Sequence, residues 1–128
     1  MTIVLFICHG NICRSTMAQS IFTYLAKRQG VLDSFEIDSA ATSTEEIGNP
    51  MYPPAVSVLA KHGIPRVEHR ARQMTRFDYE HFDHIVIMDS ENQRNVMRMT
   101  GDDPMGKVMW LLDRPVSDPW WTGDFETT

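Results

Sequence analysis

Thr2-Ile3-Val4-Leu5-Phe6-Ile7-Cys8, followed at once by His9-Gly10-Asn11-Ile12-Cys13-Arg14-Ser15, is the stretch that decides how this chain folds. Its first half is an unbroken apolar run rich in β-branched side chains, and a strand apolar on both faces belongs inside a parallel sheet. The chain then turns at Gly10. From Ser15 onward Met17, Ile21 and Leu25 recur every four residues beside Ala18 and Phe22, which predicts an amphipathic helix stopping near Gly30 with Ser15 as its N-cap.

The same alternation continues downstream. Residues Phe35–Thr42 read as a second strand, followed by a loop with Gly48, Pro50, Pro53 and Pro54 and a helix over Ala55–His62 closed by Gly63. His84–Met88 reads as a third strand, Ser90–Met99 as a helix ended by Gly101, and Lys107–Leu112 as a fourth strand. Arg114–Thr128, with Pro115 and Pro119, reads as a loop. Strands alternating with helices predict the α/β class: one three-layer domain with a parallel sheet and helices on both faces, whose ligands sit beyond the carboxyl ends of the strands. Residues 8–15 fall at that position.

Composition narrows the function. The 128 residues, 42% of them hydrophobic, suffice for one core. A net charge of −5 gives no support to nucleic-acid binding, so an anionic ligand must be drawn by a local site. The apolar run at Thr2–Ile7 is far too short to span a bilayer, so no membrane association is expected. Two cysteines, Cys8 and Cys13, are too few for a disulfide scaffold, and the cytoplasm is the expected address.

Residues 8–15 suit phosphate. Gly10 and Asn11 accept backbone conformations that let successive N–H groups turn inward as an anion nest, and a helix N-terminus adds partial positive charge. Arg14, six positions after Cys8, can lay a planar fork of donors on two phosphoryl oxygens. The same field is expected to favour a Cys8 thiolate, moving its pKa from about 8.5 into the range of roughly 3.5–7.5. A phosphate ester also needs its leaving oxygen protonated, and Asp118 is the candidate acid. It precedes Pro119, which stiffens the loop, and Trp120 and Trp121, flat surfaces on which a phenol ring could stack.

Through Cys8–Ser15 and Asp118-Pro119-Trp120-Trp121 the sequence resembles the low-molecular-weight protein tyrosine phosphatases. Lesser similarities lie in Asp38-Ser39-Ala40, His69-Arg70-Ala71-Arg72-Gln73 and Met88-Asp89, so the likeness runs along the whole chain. It implies a four-stranded parallel sheet, a phosphocysteine intermediate on Cys8, and Asp118 as proton donor and then activator of water. It implies no metal and no organic cofactor. Phosphate would be bound by His9, Gly10, Asn11, Ile12, Cys13, Arg14 and Ser15. Ser15 would hydrogen-bond the Cys8 sulfur, while Asn11, Ser39 and His69 would hold the loop in shape. Ile12 goes with tyrosine substrates, whereas threonine there goes with phosphoarginine. A reversible disulfide between Cys8 and Cys13 is the regulation the family implies; a passive buried Cys13 is the other reading.

Two departures stand out. Glu45 occupies a pocket-wall position where many relatives carry an aromatic residue, and its charge is expected to repel acidic peptides. The helix that follows the Asp-Pro block in relatives has no counterpart before Thr128, which leaves a monomer or a weak or swapped dimer as the expected state. The expected partner is a phosphotyrosine-containing protein or peptide.

Plainer readings stand beside these. A cysteine at a strand end is often only a small hydrophobe, an aspartate before proline often only starts a turn, and the two tryptophans could pack in a core or dimer contact. Met97, Met99, Met105 and Met109 read as core filler. His81 and His84 have the spacing of a metal pair but lack a third ligand. Rival functions are an arsenate reductase-like redox enzyme, for which the further cysteines are missing, a phosphoarginine phosphatase, and a non-catalytic phosphate-binding module.

Overall fold

The computed structural model describes residues 1–119 and 123–125. Four strands, β1 (Thr2–Cys8), β2 (Phe35–Ala41), β3 (His84–Ile87) and β4 (Val108–Trp110), form one parallel sheet in the order β2-β1-β3-β4. Between them lie α1 (Arg14–Arg28), α2 (Pro53–Lys61), α3 (Arg76–His81) and α4 (Ser90–Thr100), with a 3-10 turn at Leu32–Ser34. The order reverses at β1, so the crevice of the sheet opens beyond the ends of β1 and β3.

The apolar run of β1 is buried on both faces because each face meets its own layer. Leu5 and Ile7 pack with Ile85, Ile87, Tyr79, Phe82 and Val96 on the side of α3 and α4. Val4, Phe6 and Cys8 pack with Val86 and Met88 on the other side, against Ala18 and Phe22 of α1. Leu5, Ile7, Ile85 and Ile87 are fully buried, and each such side chain contributes about 1.5–3 kcal/mol in transfer from water. These contacts fix the strand ends on which the functional loop rests.

The strands and three of the helices fall where the sequence placed them, with small shifts. The second helix begins at Pro53, because Pro53 and Pro54 occupy its first turn, where a missing N–H costs nothing. The first helix begins at Arg14 with Cys13 as N-cap, so Ser15 lies inside it and does not cap it. Helix α3 was not anticipated. It opens on a capping box in which the Thr75 hydroxyl accepts from the Asp78 N–H and the Asp78 carboxylate accepts from the Thr75 N–H. Among the described residues no helix is long and apolar enough to cross a membrane.

Candidate active site

Residues 8–15 leave the end of β1 and fold around the sulfur of their own first residue. The Asn11 N–H donates to Cys8 Sγ at 3.3 Å, and Ser15 Oγ lies 3.1 Å from the same sulfur. Asn11 makes the turn with a φ of 61°, a left-handed conformation that asparagine tolerates better than most residues.

The side chain of Asn11, fully buried, settles the proton directions around the sulfur. The Arg72 backbone N–H, which can only donate, points at Asn11 Oδ1 across 3.2 Å, so that atom is the acceptor and Nδ2 is the donor. Asn11 Nδ2 therefore donates to Ser15 Oγ at 2.7 Å. The hydroxyl keeps its own hydrogen for Cys8. By the same logic His69 Nε2, 2.7 Å from Asn11 Oδ1, carries a proton.

His69 and Arg72 reach the loop because their segment runs beside the end of β2, where the Ala41 N–H donates to Arg72 O at 2.7 Å and the Met74 N–H to Ala41 O at 2.8 Å. Arg72 is itself clamped between Asp38 at 2.9 Å and Asp78 at 2.8 Å. Ser39, expected to support the loop, meets α1 instead: its hydroxyl donates to Gln19 Oε1 at 2.5 Å.

Arg14 is buried, and its Nη1 donates to Asp89 Oδ2 at 2.7 Å and to Val116 O at 3.0 Å. Its Nη2 lies 3.5 Å from Asp118 Oδ2. Burial works against its charge, but the hydrogen bond it donates to Asp89 and the charges of Cys8, Asp89 and Asp118 outweigh it and raise its pKa. Asp89 also caps α4, accepting from the Asn92 N–H at 2.8 Å. Asp118 is brought over the loop because the Val116 N–H donates to Met88 O at 2.8 Å, which ties the closing segment to the end of β3.

Cys8, His9, Gly10, Ile12, Cys13, Arg14, Glu45, Glu46 and Asp118 line one pocket of about 200 Å³. Its floor is the loop and the N-terminus of α1. Cys13 is the lesser thiol: burial, followed by the negative charges of Cys8 and Asp118, pushes it up to about 12. Both cysteines are buried free thiols.

The rim is acidic. His9 Nε2 lies 3.1 Å from Glu45 Oε2, and His9 Nδ1 lies 3.4 Å from Glu91 Oε1. Glu46 accepts from Asn49 Nδ2 at 2.6 Å. Among the described residues no cluster suited to a metal ion is found, and His81 pairs with Glu36 at 2.6 Å.

The structure thus brings Cys8, Arg14, Asp118 and Glu45 to one pocket, with Asn11, Ser15 and His69 behind it. Trp120 and Trp121 lie outside the described residues. Sequence reasoning singled out Asp89 and Arg72 without giving them a role, and it missed Gln19 and the Glu46–Glu91 part of the rim. Asp89 carried one usable signal, a capping aspartate directly after the third strand.

The sequence model described as low molecular weight phosphotyrosine protein phosphatase matches residues 3–119. A rat protein of that description is 48% identical over 95 residues, which are 74% of this chain and 60% of that protein. In such mammalian relatives the match therefore spans less than two thirds of their length. The low molecular weight protein-tyrosine-phosphatase YfkJ of Bacillus subtilis is 38% identical over 98% of this chain and 85% of its own. Its crystal structure superposes with a TM-score of 0.95, covering 99% of this chain and 84% of that one.

Proposed function

Because the chain belongs to the low-molecular-weight phosphotyrosine protein phosphatase family, we propose that it hydrolyses phosphotyrosine and other aryl phosphates through a phosphocysteine on Cys8. The observation that carries this reading is the Cys8 sulfur, held by a backbone N–H and the Ser15 hydroxyl in one pocket with Arg14 and Asp118.

In the first step the Cys8 thiolate attacks phosphorus, the bond to the phenolic oxygen breaks, and Asp118 gives that oxygen its proton. Arg14 and the loop N–H groups hold the phosphoryl oxygens as charge develops on them. In the second step Asp118 takes a proton from water, the resulting hydroxide attacks phosphorus, and Cys8 leaves as a thiolate stabilised by Ser15. A protein or peptide bearing phosphotyrosine is the proposed partner. Ile12 favours the tyrosine ester over phosphoarginine. A cytoplasmic address suits a thiol nucleophile, and a Cys8–Cys13 disulfide would block it reversibly.

The test is steady-state hydrolysis of para-nitrophenyl phosphate without added metal, with vanadate as competitor. Cys8→Ser should abolish turnover, and Asp118→Ala should lower it by about 10²–10⁴. Saturable phosphate binding without turnover would overturn the enzyme reading in favour of a binding module.

A further inference from the structure

The pocket has opposite signs at its two ends. Its floor holds the buried Arg14 and the N-terminus of α1, while its rim carries Glu45, Glu46 and, through His9, Glu91. The Glu45 and Glu91 side chains are 67% and 57% exposed, so a chain lying across the mouth meets both. His9 stands between them: its Nε2 lies 3.1 Å from Glu45 in the loop after β2, and its Nδ1 lies 3.4 Å from Glu91 in the first turn of α4. Two carboxylates face this one imidazole, and Glu46 adds a third to the pocket lining, so the rim holds more acid than a single histidine can balance.

The floor recognises the phosphate, and the rim meets whatever flanks it. Resting on the phosphotyrosine reading, we propose that Glu45, Glu46 and Glu91 select phosphotyrosine segments bearing lysine or arginine beside the phosphotyrosine and disfavour segments flanked by aspartate or glutamate. The overall charge of −5 acts in the same direction at longer range. A flanking cation reaching one exposed carboxylate gains about two- to five-fold in binding, so a lysine-flanked peptide should exceed its glutamate-flanked counterpart by about ten-fold.

The experiment compares kcat/KM for two synthetic phosphotyrosine peptides, identical except for lysine or glutamate on both sides of the phosphotyrosine, with para-nitrophenyl phosphate as a third substrate. In the wild-type chain the lysine-to-glutamate ratio should be about ten at low ionic strength and should shrink as added salt shortens the screening length to about 3 Å at 1 M. In the Glu45→Gln/Glu91→Gln variant the ratio should approach one, and Glu45→Lys should invert it. The ratio is internal to each variant, so a general loss of activity does not disturb it. Hydrolysis of para-nitrophenyl phosphate with a wild-type ratio near one, or a ratio unchanged by the substitutions, would overturn the rim's role alone. Absence of any turnover would overturn the phosphatase reading and this inference with it.

Discussion

Asn11 Nδ2 donates to Ser15 Oγ at 2.7 Å, and this contact turns Ser15 into a proton donor toward Cys8. The direction is inherited from the Arg72 backbone N–H, so the surroundings of the Cys8 sulfur are set from a segment about sixty residues along the chain.

Asn11→Ala should therefore damage both fold and chemistry. It strands the half-buried His69 ring N–H and the Arg72 N–H, and alanine resists the left-handed turn that Asn11 makes. We expect a loss of about 2–4 kcal/mol, from an unsatisfied buried group at about 1–3 kcal/mol and local strain, measured by urea unfolding.

Ser15→Ala removes only the last link. A hydrogen bond to a charged group is worth about 1.5–3 kcal/mol, so turnover should fall about ten- to hundred-fold while the melting temperature changes little. Stopped-flow traces with para-nitrophenyl phosphate should show a larger burst, because the thiolate leaves less readily.

Asp89 does two things that substitutions can separate. Asp89→Asn keeps an acceptor for the Asn92 N–H but removes the charge facing Arg14; kcat/KM should drop about ten-fold or more, with stability nearly retained. Asp89→Ala loses the cap as well, costing roughly a further 1 kcal/mol in unfolding experiments.

Cys13, with its thiol pushed up to about 12, should resist alkylation at neutral pH. Iodoacetamide should label Cys8 first, and Cys13 only after unfolding, as read by peptide mass spectrometry. The sign for stability follows. The folded chain favours the protonated thiol, so this contribution is intact below the unfolded value near 8.5 and is lost as pH rises toward about 12. Melting temperatures between those limits should fall less steeply in Cys13→Ala.

Part of this arrangement was readable from residue order alone. The β1 run, the helix after it and the Cys8–Ser15 loop announce themselves because apolar periodicity and loop chemistry are local properties. Helix α3 escaped notice because six residues carry too little periodicity, although its Thr75–Asp78 box was present. Ser15 was misread as a cap, since a serine at a helix start looks the same whether it serves a backbone N–H or a neighbouring sulfur. The roles of Asp89 and of the Asp38–Arg72–Asp78 clamp depend on which strands lie side by side. The same holds for Glu91 across from Glu45, and no pattern along the chain records it.

The central claim is that the phosphoryl group passes through Cys8, and acid-quench trapping during turnover of para-nitrophenyl phosphate tests it most directly. The account predicts one phosphoryl group on the peptide containing Cys8, carrying the phosphorus NMR signature of a thiophosphate ester, and none in Cys8→Ser. Turnover with the phosphoryl group on another residue, or undiminished turnover by Cys8→Ser, would contradict it.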